Sequence, residues 1–470
     1  MFYGRTEELK ILKNAYNNDV FESFAIYGRR RIGKSELIKE SYKDLEYKII
    51  YYECKKASEE FNMIALSDKI AEVFDIPKPD FKTLEATLSF IFEKSTKEKI
   101  ILVIDEYPYM RGNSDYLDSV IQGVIDEYKN KSKIKFILCG SYIDVMEQIL
   151  SNKSPLYGRF TYKLNVKQMN YLESAMFYKN ATNEDKVKYY SVFGGVPYYN
   201  QFIDDSLTVK ENIINLIIGN KSRLLSEAEG FLNEEITKLN NANECFTAIA
   251  EGNVKFNDIL QKSNVSSSPT LSDVLKKLIN MDVIEKVYPI NDESEKKSYY
   301  SIIERLSLFY YRYIFKRGSY FNVMTPEDFY DEFISEDFEN YYVPKEFENI
   351  SKQYLIIQNK NKKINPPLYK VGKYYYDLPK ERKNGEFDVV TLSKNGYDFY
   401  EVKFTEKQLD DSVVNEEIYQ LKNANIKYNK VGFISKKGFN ISNSKDYILI
   451  TLDDMYDWFM SIPNFKDKRK

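Results

Sequence analysis

A short apolar run, Phe24 to Tyr27, leads into GRRRIGKS, Gly28 to Ser35, and then into the helix-forming stretch SELIKESYK. Strand, glycine-framed loop and helix in that order are the context in which the pattern GxxxxGK[ST] builds a phosphate cradle. The glycines allow backbone N–H groups to turn inward, Lys34 reaches the outer phosphates, and the Ser35 hydroxyl ligates Mg²⁺. The expected nucleotide site is therefore Gly28, Arg29, Arg30, Arg31, Ile32, Gly33, Lys34 and Ser35, with ATP and Mg²⁺ as its ligands. In a chain of 470 residues the pattern arises by chance on the order of a few per cent of the time, so a plain glycine turn explains it poorly.

The next apolar run, Ile100 to Ile104, ends directly at Asp105 and Glu106. An unbroken run suits a central parallel strand covered on both faces, and ligands bind at the carboxyl ends of such strands. Asp105 is expected to hold Mg²⁺ through water and Glu106 to polarise the attacking water. A further run, KIKFILCGS, ends at Ser141, which either meets the γ-phosphate region or caps the following helix. With Tyr47–Cys54 and Phe160–Val166, these runs give five strands and an α/β fold: a doubly wound parallel P-loop sheet over residues 1–166.

Composition narrows the chemistry further. There is no histidine, which excludes Ser/His/Asp and Cys/His machinery and His-ligated zinc. The three cysteines show no paired spacing, so neither a disulfide framework nor a thiolate metal site is expected. The 41 tyrosines read as compositional bias, with no site assigned to them. A net charge of −3 gives no global basic field, so affinity for nucleic acid has to be local. The N-terminal MFYGRTEELK carries no apolar signal segment and no run is long enough to span a bilayer, so a cytoplasmic chain with no membrane contact is expected.

FYGRTEEL, GRRRIGKS, VIDEYPYM, LCGSYIDVM, SPLYGRF and FGGVPYY, in order across the first 200 residues, resemble the successive motifs of the archaeal-type ATPases, a STAND-class branch of the AAA-like P-loop NTPases. The resemblance implies that Arg159, in SPLYGRF, is an arginine finger or sensor acting in its own subunit or across a subunit contact. The alternative is an ordinary loop salt bridge. Arg29, Arg30 and Arg31 recur in the resembling family. They occupy free positions of the loop, where side chains point away from the phosphates, and are expected to contact a neighbouring domain, such as acids of the lid or winged helix.

Residues 167–240 read as a helical lid, and residues 241–315 as a winged helix-turn-helix. Ser268 and Pro269 form an N-cap and first-turn pair, and Leu271, Val274, Leu275 and Leu278 line one apolar face of the second helix. VIEKVYPI and KSYYSII are expected to pair as the wing. Lys276 and Lys277 on the polar side point to DNA contact, diluted by Asp273; a structural or partner-sensing role fits as well. Leu306 to Phe315, LSLFYYRYIF, reads as a buried helix closing that domain.

Residues 316–470 carry a second constellation, in GEFDVVTLSKNGYDFYEVKFTEKQ. An Asn395-Gly396 type I′ turn makes cross-strand partners sum to 791, which sets Asp388 opposite Lys403 and Val390 opposite Glu401. Asp388, Glu401 and Lys403 then share one face, and Phe387, Val389, Val402 and Phe404 the other, packed one. On their shared face Asp388 and Glu401 are expected to chelate Mg²⁺ and Lys403 to steady or activate the attacking water, for phosphodiester hydrolysis without histidine. The arrangement is similar to the PD-(D/E)xK nuclease core, with which archaeal-type ATPases often end. The similarity implies that Glu348 is the helix-borne acid and Gln420 the helix glutamine, although no proline precedes Asp388. The alternative is a hairpin with one solvated charged face.

The whole reads as an ATP-hydrolysing enzyme controlling a metal-dependent DNA-cleaving domain, in DNA processing or defence. Two alternatives remain open: a nucleotide-switched signalling protein with a partner- or DNA-binding winged helix and an inactive nuclease fold, and a DNA-binding regulator that senses ATP. DNA, a protein partner and a second copy of the chain are all candidate partners.

Overall fold

The computed structural model describes residues 2–112, 114–219, 221–236, 241–378 and 383–457. They divide into two compact units: Met1–Met169 with Val196–Tyr198 and Asn280–Asp282, and the remainder.

The first unit is built on five parallel strands, β1 (Glu22–Tyr27), β2 (Lys48–Glu53), β3 (Ile100–Asp105), β4 (Lys135–Gly140) and β5 (Tyr162–Asn165), in the order β2-β3-β4-β1-β5. Every residue of β3 and β4 is buried. Alternate residues of each strand go to opposite layers, as a sheet covered on both faces requires. Leu102, Ile104, Phe136 and Leu138 join one core with Ile121 and Phe92, while Ile101, Val103, Ile137 and Cys139 join another with Leu37 and Ile38. All five sequence-derived strands are thus present, and the doubly wound parallel sheet forms. The strand order adds what spacing alone does not reveal: β4 lies between β1 and β3.

The second unit begins with helices that include Asn183–Phe193 and Val209–Ile217. Helices Ala242–Ala250, Phe256–Lys262 and Ser268–Asn280 follow, and then the antiparallel pair β6 (Ile284–Val287) and β7 (Tyr299–Ile302), the expected wing. The N-cap of the Ser268–Asn280 helix is one residue earlier than expected, because Ser267 Oγ, not Ser268, accepts from Thr270 N at 3.4 Å. Leu306, Phe309, Tyr310, Tyr311, Tyr313 and Ile314 are buried, as the aromatic segment predicts.

The C-terminal sheet contains β8 (Leu368–Leu378), β9 (Lys383–Ser393) and β10 (Gly396–Lys403). After the two-residue pair β11 (Leu409–Asp410) and β13 (Phe439–Asn440) are set aside, β12 (Lys430–Ser435) and β14 (Ile448–Thr451) complete it in the order β14-β12-β10-β9-β8. The Val343–Lys360 helix covers one face, where Phe347 meets Phe404 at 5.0 Å between ring centroids. The Asp411–Asn423 helix covers the other, where Val414 and Leu421 pack with Val390 and Phe399. Segments distant in sequence are bonded within this unit: Tyr171 Oη donates to Met455 O at 2.7 Å, Tyr342 Oη to Ser191 O at 2.9 Å, and Arg305 pairs with buried Glu346 at 2.7 Å. Among the described residues, no helix is long and apolar enough to cross a membrane.

Candidate functional site

The carboxyl edge of the first sheet gathers its polar residues because three adjacent strands end there. The loop after β1 needs glycine for steric reasons. A Cβ on Gly28 would lie 2.3 Å from Val166 O, and Gly33 stands at φ +89° at the start of the Lys34–Tyr42 helix. Arg31 shares the left-handed region, φ +66°. Buried Arg5, from the FYGRTEEL segment, braces the loop by donating to Ile32 O at 3.1 Å.

Within this cradle Lys34 is 5% exposed, and its Nζ donates to Gly28 O at 2.8 Å, Arg29 O at 2.9 Å and Ser141 Oγ at 2.8 Å. Ser141 follows β4 and reaches Glu106, which follows β3: its N–H donates to Glu106 Oε2 at 3.1 Å and its hydroxyl to Oε1. Ser141 does not cap the next helix, whose N-cap is Tyr142 with no side-chain bond. The chain Lys34–Ser141–Glu106 reproduces the strand order β1-β4-β3, so Ser141 bridges the loop and Glu106. Glu106 itself is held at φ +50°, a conformation non-glycine residues adopt infrequently.

Ser35 Oγ donates to Asp105 Oδ2 at 2.8 Å, and Glu106 N donates to Asp105 Oδ1 at 2.9 Å. Hydroxyl and carboxylate oxygens converging in a site where Asp105 is 3% exposed are the hard donor set that suits Mg²⁺. Tyr51, on β2, also donates to Asp105. Burial and then the Asp105 charge push the Tyr51 phenol far above its usual range, so it stays a donor. Burial and the same carboxylate likewise raise the Cys54 and Cys139 thiols, which remain protonated and buried.

The Arg30 and Arg31 side chains meet tyrosines. Arg30 Nη2 donates to Tyr109 Oη at 2.7 Å and Tyr142 Oη at 3.0 Å, and the Arg31 guanidinium lies 4.8 Å from the Tyr198 ring centroid. Tyr109 and Tyr142 belong to the same unit as the loop, and Tyr198, although within the expected lid, groups with it too. These contacts tie the arginines to aromatic side chains of their own unit. Tyr51, Tyr109 and Tyr142 were hidden in the sequence by the abundance of tyrosine; their only signal is position, each lying next to or within a recognised motif.

Within its own chain Arg159 makes the loop contact that was the alternative to a finger. Its Nη2 pairs with Asp126 at 2.9 Å, and its carbonyl accepts from Ser23 Oγ at 2.7 Å. Ser23 opens β1, so Arg159 lies at the amino end of the sheet, separated from Gly28 by about 16 Å of strand at ~3.3 Å per residue. Within its own chain Arg159 makes the loop salt bridge and does not reach the cradle.

The C-terminal trio requires a correction. Ser393 pairs with Gly396, so the loop is Lys394-Asn395 and partners sum to 789. Neither loop residue has positive φ; that conformation falls on Gly396, at +110°, so the type I′ turn does not form. A β-bulge then alters the faces. Gly372 pairs with Val390 and Tyr374 with Phe387, so Asp388 and Val389 together stand opposite Lys373. Asp388 turns toward the Val343–Lys360 helix, pairing with Lys345 at 2.8 Å and Lys373 at 2.6 Å, while Lys345 holds Glu348 at 2.7 Å. Glu401 and Lys403 pair with each other at 2.5 Å on the opposite face, beside Glu416 and buried Glu417 of the other covering helix.

Electrostatics follow this division. Burial alone would raise Asp388, but Lys373 and Lys345 hold it well below the carboxylate range. Burial and the Asp388 charge raise Glu348 to about 7, and burial and Lys373 lower Lys352 to about 8. On the other face burial and Glu401 raise Glu417 to about 8. Among the described residues, no group of three or more Asp, Glu or Cys is placed to hold a metal ion. Gln420 donates to Tyr376 Oη at 3.0 Å. Lys276 and Lys277 are exposed on the polar side of their helix, as expected.

Comparison with known proteins agrees with the first unit. The family described as "ATPase domain predominantly from Archaea" matches residues 2–200, and one described as "Archaea bacterial proteins of unknown function" matches residues 310–418. An uncharacterized protein of Methanocaldococcus jannaschii, MJECL04, is 30% identical over 430 residues, 89% of this chain and 91% of the relative. Among solved structures, the Walker-type ATPase PABY2304 of Pyrococcus abyssi is 19% identical, covering 66% of this chain and 96% of its own, with a TM-score of 0.48. The ORC2 protein of Aeropyrum pernix, in ADPNP-ADP complexes, is 14% identical over 66% of this chain and 92% of its own, TM-score 0.47. The chain belongs to the archaeal-type ATPases, P-loop NTPases whose nucleotide-binding motifs it carries in its first 200 residues.

Proposed function

We propose that the protein is a Mg²⁺-dependent ATP hydrolase whose nucleotide cycle switches the helical lid, winged helix and C-terminal α/β domain carried by the second unit. The observation that carries this reading is the single bonded chain from Lys34 through Ser141 to Glu106, beside Ser35 and Asp105. Backbone amides of Gly28–Ser35 and the Lys34 ammonium hold the triphosphate. Ser35 and Asp105 hold the metal ion, which supplies charge neutralisation at the phosphates. Glu106 orients the water that attacks the γ-phosphorus in line; the oxygen bridging the β- and γ-phosphates leaves with ADP, and phosphate departs. Ser141 fixes the Glu106 carboxylate through two donated hydrogen bonds and touches Lys34, so it relays γ-phosphate occupancy to the base.

For the second unit, the division of Asp388 from Glu401 and Lys403 favours a nucleotide-switched regulatory protein over the histidine-free nuclease. A carboxylate held by two ammonium groups has its lone pairs engaged and is a poor magnesium ligand. The winged helix is then the element that meets DNA or a protein partner, and nucleotide-dependent self-association is the further partner expected. The test uses purified full chain. ATP turnover is expected with Mg²⁺ and not with EDTA, and supercoiled DNA is expected to stay intact with Mg²⁺ or Mn²⁺, with or without ATP. Metal-dependent nicking abolished by Asp388→Ala and by Lys403→Ala would restore the nuclease reading.

A further inference from the structure

A cavity of about 450 Å³ opens in the C-terminal domain between the distal half of the Val343–Lys360 helix and the hairpin end of the sheet. Its size lies within the range of small-molecule sites. Polar side chains withdrawn from solvent line it: Gln358 is 8% exposed, Ser393 5%, Asp398 8% and Tyr400 6%. Asp398 stands out among them. It accepts from Asn429 Nδ2 at 2.7 Å, and among the described residues no cation pairs with it. A buried carboxylate supported by neutral donors is stabilised by a further partner that brings N–H groups, and two parallel N–H donors match its two oxygens. Burial raises the Asp398 carboxyl, and the hydrogen bonds from Asn429 and the Lys430 backbone, with the Lys430 charge across the strand pair, offset only part of that rise.

The rest of the lining narrows the class. Tyr354, Tyr400, Leu355 and Ile450 offer apolar and aromatic walls suited to a flat ring, and Asn395 and Gln358 offer further hydrogen-bonding groups. Planar groups with two parallel N–H donors include the N1–H and N2–H₂ edge of guanine and the guanidinium of arginine. The cavity also takes in Lys363 and Lys430, both exposed. Two cations at its edge attract an anionic tail and repel a guanidinium. We propose that this cavity binds a guanine nucleotide, with Asp398 receiving the base edge and Lys363 and Lys430 receiving phosphate.

This site is separate from the P-loop, and the test keeps the two apart. GMP, which lacks the outer phosphates that Lys34 grips, is titrated calorimetrically into the full chain carrying Lys34→Ala. One GMP per chain is expected, with AMP weaker by at least about tenfold because its ring nitrogen N1 is an acceptor facing Asp398. Asp398→Asn is expected to weaken GMP by at least about tenfold and, in a chain with Lys34 intact, to leave ATP turnover at the parent rate. Should Asp398→Asn fail to fold, the paired change Lys363→Ala and Lys430→Ala decides: it is expected to weaken GMP while leaving guanosine binding unchanged. Absence of GMP binding, equal binding of AMP, or binding of L-arginine in preference to GMP overturns the proposal. An inactive ATPase would contradict the proposed function and leave the GMP result standing.

Discussion

The P-loop edge and the C-terminal hairpin both present carboxylates and lysine at spacings that suggest phosphate chemistry, yet only the first brings them together. At the P-loop edge three adjacent parallel strands deliver Lys34, Ser141 and Glu106 in spatial order, and the geometry is fixed by strand ends. At the hairpin, the shared face depends on unbroken alternation along β9, and one extra residue opposite Lys373 breaks it. Strand ends tolerate register errors, whereas strand faces do not, since a single inserted residue exchanges them.

The largest effect expected from this contrast is at Lys34. Lys34→Ala removes the charge inside the cradle, and ATP affinity measured by titration should fall by at least about a hundredfold. Ser141→Ala should leave ATP affinity near wild type and lower kcat by roughly tenfold, because Glu106 loses its hydroxyl donor but keeps the backbone one. An equal loss of kcat and affinity would break the assignment of Ser141 as a bridge. At the hairpin the two faces should respond unequally. Asp388→Ala leaves Lys373, 10% exposed, with Glu386 alone and Lys345 with Glu348 alone, and should destabilise the fold by about 1–2 kcal/mol in chemical denaturation. Lys403→Ala breaks a half-exposed pair and should change stability by less than about 1 kcal/mol. Comparable losses would place the residues in one network after all.

The smallest effect is a pH dependence. Glu417 in the folded chain is raised to about 8 from its ordinary 4.5, so the folded state holds a proton that the unfolded state releases between those values. Stability from this group is complete below about 4.5 and is lost as pH rises toward 8. Glu417→Gln should therefore raise Tm relative to wild type by a few degrees at pH 8 and by less at pH 5, read by thermal melts. An unchanged difference across that interval would contradict the account of the Glu401, Lys403 and Glu417 face.

Much of the nucleotide site was legible because its residues are signalled locally. Apolar runs ending in Asp105, Glu106 and Ser141 announce strand ends, and GRRRIGKS announces its loop. The bridging role of Ser141 was not legible, since it follows from β4 lying between β1 and β3, a pairing between segments far apart in sequence. The place of Arg159 was not legible because its motif suggests a role without a position, and the position is set by β5 pairing alongside β1. Tyr51, Tyr109 and Tyr142 were lost among 41 tyrosines. The bulge at Asp388 and Val389 leaves no local mark in GEFDVVTLS, and Gly396 supplies its positive φ one place later than a type I′ turn would use it.

The central claim is that Glu106 is the residue that orients the attacking water at an ATP site built by Lys34, Ser35, Asp105 and Ser141. Single-turnover hydrolysis of Mg²⁺-ATP, with bound nucleotide quantified in the same samples, tests it most directly. Glu106→Gln should bind ATP as wild type does and hydrolyse it at least about a hundredfold more slowly, retaining ATP on the protein. Hydrolysis at the wild-type rate by Glu106→Gln would contradict the claim.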